Sequence, residues 1–247
     1  MEIPTGSPAD LQALLDTLLP DCIEAASGAP PVSRDQETDP STLVEAFRQL
    51  LNVMTRLEAD AQADRSSNSA DITEIGEYAL RLQEALAILA ADAGLEERQP
   101  ELALVSINIA LWVADNGGRI DTLEPVVDAL ALLANNLQEP ARLEELSHVI
   151  SRIVAAVSPL ISQDLEKVNP GRPWRVLLLN QSIIATRSYN PELMEQAFEV
   201  LTEKLPEDAP RFFTEGMQQM DALNYPEPVR KVMARYHRRW TVNRALH

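Results

Sequence analysis

The sequence predicts an all-α fold, and three observations carry that expectation. Leu and Ala supply 65 residues against 29 Val plus Ile, a bias toward helix formers over strand formers. Only 8 glycines are present, which leaves little material for hairpin turns or phosphate-cradling loops. Apolar side chains recur at three- and four-residue spacings along most of the chain, the period of one face of a helix. Leu, Ile, Val and Phe together make 67 of the 247 residues, enough to build a core and too apolar for a disordered chain.

Residues 8–26 carry Leu11, Leu14, Leu15, Leu18, Leu19 and Ile23 on one stripe, an amphipathic helix. Pro20 removes a backbone donor and crowds the preceding turn, so a kink or early end is expected there. Residues 27–40 are polar and hold Pro30, Pro31 and Pro40, the composition of a flexible linker. The domain organisation that follows is an N-terminal helix (1–26), a linker (27–40) and a helical-hairpin domain (41–247) ending in a basic helix.

Within 41–64, Leu43, Phe47, Leu50, Leu51, Met54 and Leu57 share a face. Asp71 is placed to cap a helix over 71–93 with Ile72, Ile75, Ala79, Leu82, Leu86 and Leu89, and Gly94 to stop it. Pro100 restarts a helix that is apolar on nearly every side, through Val105, Ile107, Ile109, Leu111, Trp112 and Val113; such a helix belongs at the centre of a core. After Asn116-Gly117-Gly118, Asp121 and Glu124 resemble a capping pair ahead of Val126, Val127, Leu130 and Leu133. Pro140 opens a segment with Leu143, Leu146, Ile150, Ile153 and Val157, bent or ended near Pro159. Trp174 to Arg187 follows a Pro/Gly loop, Asn190-Pro191 caps and opens the next helix, and Asp208 with Pro210 opens another. Pro226 and Pro228 open the last, with Val229, Val232, Met233, Tyr236 and Trp240 along one side.

About ten helices of 14–24 residues with short loops favour antiparallel neighbours. The expected hairpins are 100–116 with 120–137, 173–188 with 190–205, and 207–223 with 226–244, recurring near the period of helical repeats. The segment Gly118-Arg119-Ile120-Asp121-Thr122-Leu123, with Val127 and Leu130, resembles the turn and second helix of a tetratricopeptide repeat. That resemblance implies a right-handed α–α superhelix; an irregular helical bundle is the alternative.

Charge sharpens the expectation about partners. The chain holds 38 acidic and 21 basic residues, a net charge of -17. Its distribution is a gradient, from -18 over residues 1–140 to +2 over residues 206–247. Overall negative charge disfavours nucleic acid and anionic lipid. No apolar run reaches the ~20 residues of a membrane span, residues 1–8 lack the features of a signal peptide, and Cys22 alone forms no internal disulfide. A cytoplasmic protein is expected.

Chemical motifs are sparse. Glu145-Leu-Ser-His148 has the Glu-x-x-His spacing of di-metal helices, but no second copy exists and His148 lies off its helix's apolar stripe. Asp115 to Asp121 gathers oxygen ligands and glycines without the spacing or closing glutamate of an EF-hand. Gly-x-Ser-x-Gly, phosphate loops and dinucleotide fingerprints are missing, and Cys22 sits on a leucine-rich helix. No catalytic residue, metal ligand or cofactor is therefore assigned. The C-terminal helix supplies the candidate partner-binding residues Tyr225, Arg235, Tyr236, Arg238, Arg239 and Trp240, for these combine aromatic anchors with basic rims. The function expected is a non-enzymatic protein-interaction or scaffold module that binds a peptide, a helix or an acidic partner surface. Alternatives are a helical enzyme or metal-binding bundle using Glu145 and His148, and a regulator touching nucleic acid through the basic helix. The partner is another protein or a second copy, and the tethered helix at 8–26 admits a homodimer.

Overall fold

The structure is a computed structural model; it describes residues 2–28, 39–62 and 69–242. The expected linker falls mostly outside these residues. The fold is all-α: α1 (Pro8–Gly28), α2 (Pro40–Gln62), α3 (Ser69–Asp92), α4 (Gln99–Asp115), α5 (Glu124–Asn136), α6 (Pro140–Ala156), α7 (Pro159–Ser162), α8 (Pro173–Arg187), α9 (Pro191–Lys204), α10 (Ala209–Ala222) and α11 (Glu227–His237). A 3₁₀ turn precedes α4 and a π turn, Arg238–Val242, follows α11. Among the described residues no strand forms; one isolated bridge pairs Ile120 with Val157. The helix unforeseen from sequence is the four-residue α7, which Pro159 starts once α6 has ended.

The chain folds as two compact units: Met1–Leu133 with Ala155–Ile161, and Ala134–Val154 with Ser162–His247. In the first, α4 is the centre. Every residue from Leu104 to Val113 is buried, and α1 and α3 both pack on it. An apolar circumference with no solvent face requires that placement. The leucine stripe of α1 (Leu11, Leu15, Leu18) and Cys22 are buried within this unit. Pro20 does not end the helix; one lost donor is outweighed by buried side chains on both sides of it. Gly76 lets α3 approach α4, because a Cβ there would stand 2.2 Å from Val113 Cγ2.

Local signals account for most boundaries. Gly94 (φ +73°) ends α3 in a Schellman turn, with Leu95 N–H donating to Ala90 O at 2.9 Å. Gly117 (φ +77°) does the same for α4, Gly118 N–H donating to Val113 O at 2.9 Å. Two capping expectations are corrected. The third helix begins at Ser69, so Asp71 sits inside its first turn. The Asp121/Glu124 pair gives way to Glu77 of α3, whose carboxylate accepts the Asp121 and Thr122 N–H groups at 3.0 Å and the Thr122 hydroxyl at 2.5 Å. A charged acceptor from a neighbouring helix satisfies these donors better than a local side chain would.

In the second unit α8 pairs with α9, α10 with α11, and α11 also with α9. Two of the three expected hairpins are thus present; the main partners of α4 are α3 and α1 in place of α5. Asn190 caps α9 as its sequence foretells, its side-chain oxygen accepting from Glu192 N–H at 3.0 Å and Leu193 N–H at 3.3 Å. Asp208 precedes α10 but makes no cap; its carboxylate instead accepts from Arg175 Nη2 at 2.6 Å. Phe198, Phe213 and Tyr236 form a ring cluster with centroids 5.1–5.4 Å apart that joins α9, α10 and α11.

Candidate functional site

The last helix shows where the sequence's candidate residues go. Val229, Val232, Met233 and Tyr236 are buried against α9 and α10, as their spacing requires. The Tyr236 hydroxyl donates to Glu199 Oε1 at 2.6 Å. Burial first, then that hydrogen bond, push its phenol well above the ordinary tyrosine range. Arg235 pairs with Glu195 at 2.7 Å, and Arg239 with Glu199 at 3.3 Å. Arg235, Tyr236 and Arg239 are thereby gathered on the acidic face of α9. Arg238 is exposed, Trp240 is half-buried in the π turn, and Tyr225 lies elsewhere, in the turn between α10 and α11.

Replacing Tyr236 with Phe keeps the ring cluster and removes one charge-assisted hydrogen bond, an expected loss of about 1–2 kcal/mol. Because the phenol's pKa in the fold exceeds its unfolded value, its stabilisation is complete below pH ~10 and declines as pH rises past that point. Urea midpoints at pH 8 and pH 10.5 test both expectations. The wild type loses more stability between the two than Tyr236→Phe does.

Tyr225 belongs to a groove that the periodicity does not reveal. Ile183, Thr186 and Arg187 of α8, and Phe212, Gly216, Gln219 and Met220 of α10, enclose about 320 Å³ with Leu223, Tyr225 and Met233. The volume falls at the small end of ligand pockets, roughly 300–1,000 Å³. Met233 reaches into the space left by Gly216, where a Cβ would stand 2.7 Å from Met233 Sδ. Two corners in the left-handed region shape one end: Tyr189 itself at φ +60° and Asn224 at φ +50°. They bring the Tyr189 and Tyr225 rings edge to face, with centroids 5.5 Å apart. A tyrosine in this region is uncommon and costs energy, so the packing around it must hold it there. The rim is apolar and open: Ile183 is 45 % exposed, Tyr189 46 % and Leu223 63 %. Arg187 is engaged elsewhere, donating to Ala134 O at 3.0 Å and Leu137 O at 2.7 Å. Glu215 pairs with Arg211 at 2.7 Å.

One signal of this groove is present in the sequence. Ile183-Ile184 and Phe212-Phe213 are adjacent apolar pairs, and neighbouring helix positions point about 100° apart, so the second member widens the apolar face beyond a single stripe. Ile184 and Phe213 are buried, while their neighbours turn to the groove.

The other motifs acquire structural roles. Glu145 is exposed and bonded to Arg142 at 2.6 Å, and His148 is exposed beside it. Among the described residues no three His, Cys, Asp or Glu side chains converge as metal ligands. Cys22 is fully buried, and burial followed by the Asp21 carboxylate pushes its thiol up, away from the reactive thiolate. Among the described residues no helix is long and apolar enough to cross a membrane. Comparison with protein-family models, with curated proteins and with solved structures finds no match to this chain.

Proposed function

We propose that this protein is a non-enzymatic binding module whose α8–α10 groove receives the apolar side chains of a helical segment from another protein. The observation that supports this most is an enclosed apolar groove bordered by large side chains left in water. Ile183, Tyr189 and Leu223 each leave about half or more of their surface in water, and covering them would release apolar surface from solvent. Met220 and Met233 give the floor a flexible, polarizable lining suited to varied anchors. Amphipathic helices dock in such grooves through residues at i, i+3 or i+4, and i+7. Arg235 and Arg239 already pair with Glu195 and Glu199, which favours apolar anchoring over an acidic partner or nucleic acid.

A displayed library of random 15-residue peptides, selected on the whole protein, tests this reading. The expected outcome is a consensus of two or more bulky apolar residues at helical spacing. Parallel selection on Leu223→Glu loses that consensus while circular dichroism stays unchanged, since an exposed substitution costs only a few tenths of a kcal/mol. A consensus that survives Leu223→Glu, or no enrichment at all, contradicts it.

A further inference from the structure

The first unit contains a second, larger cavity, separate from the α8–α10 groove. It encloses about 630 Å³ between α1 and α4 and is overlain by the N-terminal segment at Glu2–Thr5. Ile3, Pro4, Leu14 and Leu104 give it apolar walls. The volume lies within the range of sites for small organic ligands, roughly 300–1,000 Å³.

Its polar lining is unusual. Asn108 of α4 is fully buried and faces the cavity, and neither its amide nitrogen nor its amide oxygen has a hydrogen-bond partner. A carboxamide offers two donors and an oxygen acceptor, and a fold loses stability by leaving such a group buried and unpaired. One side of α4 continues the pattern. Glu101 and Leu104 precede Asn108 by seven and four residues, so the three stand in one stripe facing α1. Glu101 commits one carboxylate oxygen to Arg98 at 3.3 Å, while its other oxygen, Oε2, is buried without a partner. Charged residues of the lining are all acidic: Glu2, Asp10, Glu97 and Glu101. The Thr5 hydroxyl donates to Asp10 at 2.6 Å, which fastens the N-terminal segment across the opening.

We infer that this cavity is a binding site for a small organic amine, with an apolar body among Ile3, Leu14 and Leu104, its ammonium on Glu101 Oε2 and a polar substituent on the Asn108 carboxamide. The lining selects that class on three grounds. Unpaired buried acceptors call for a donor, and four carboxylates in the lining, of which Arg98 pairs with Glu101 alone, favour a cationic one. The carboxylates would repel an acid or a phosphate ester. Asn108, supplying donor and acceptor together, matches a hydroxyl, amide or ether carried by the same molecule. Such a site is independent of the groove in the second unit, and either can fail alone.

The test uses tyramine as the amine probe and 4-ethylphenol as its uncharged counterpart, added to the full-length protein. The side-chain amide resonances of Asn108 are followed by ¹⁵N–¹H NMR. Tyramine is expected to shift them saturably with a Kd below 1 mM, and 4-ethylphenol to bind at least tenfold more weakly. Glu101→Gln should weaken tyramine at least tenfold. Asn108→Leu, which lacks that side-chain probe and is followed through the backbone amide of Leu104, should abolish the binding yet leave the melting temperature unchanged or higher, because it removes an unpaired buried amide. That pairing separates a ligand-binding role from a structural one, which would make Asn108→Leu destabilising. No shift with tyramine up to 10 mM, equal binding of the two probes, or a drop in melting temperature for Asn108→Leu overturns the inference.

Discussion

Replacing Asp164 with Asn lowers stability by about 3 kcal/mol, the low end of the cost of breaking a buried ion pair, because the Asp208 carboxylate remains 4.0 Å from Arg172 Nη2. Asp164 and Arg172 are 6 % and 5 % exposed, and Arg172 Nη2 donates to Asp164 Oδ2 at 2.8 Å beside a second bond through Nε. The same guanidinium donates to Asn169 O at 3.0 Å, so one side chain closes the whole 164–172 loop. Arginine keeps its charge at any ordinary pH, so the guanidinium stays charged when its partner is neutralised. Asn is a fair probe because it tolerates the left-handed backbone of Asp164, at φ +53°, and keeps one acceptor. The expected fall in melting temperature is on the order of 10 °C. Adding Arg172→Met removes the stranded charge, and the double variant should recover at least half of the loss. A single variant with wild-type stability would show that the pair contributes nothing.

Trp112→Ala is the other large effect, expected at about 3–5 kcal/mol from lost burial and the cavity left behind. Trp112 has no exposed surface and stands where α1, α3 and the N-terminal segment converge on α4. Gly6 approaches so closely there that a Cβ would stand 2.7 Å from Leu111 Cβ and 3.1 Å from Trp112 N. Trp112→Phe should cost far less, about 1 kcal/mol, since it also removes an indole N–H that is buried with no acceptor. Urea titration of both variants checks the contrast. Hydrogen exchange should quicken in α1, α3 and α4 of the alanine variant.

These two sites differ in how far the sequence reveals them. The centrality of α4 is legible, because ten consecutive residues from Leu104 to Val113 leave no polar face for water. So are Gly94 and Asn190-Pro191, where one residue's backbone or side chain decides a boundary. The Asp164–Arg172 clip is not, since nothing local in a Pro/Gly loop says which acid will meet which arginine. The same holds for Glu77, which serves backbone donors more than 40 positions away. The six candidates on and beside the last helix stand out in the sequence by aromatic and basic character. Three of them make contacts within the fold: Tyr236 in a buried ring cluster, and Arg235 and Arg239 in exposed ion pairs with glutamates 40 positions earlier. Of the six, Tyr225 alone borders the groove, and it does so through the backbone geometry of Asn224.

A binding role depends on the groove, and its most direct measurement is calorimetric titration of a selected helical peptide into the wild type and into Ile183→Glu and Leu223→Glu. Both side chains stand on the rim and are about half or more in water, so neither substitution should disturb the fold. Micromolar affinity is expected for the wild type and at least a tenfold loss in each variant, equivalent to ~1.4 kcal/mol or more per rim contact. Equal affinity in all three proteins would place the peptide elsewhere and contradict a binding role for the groove.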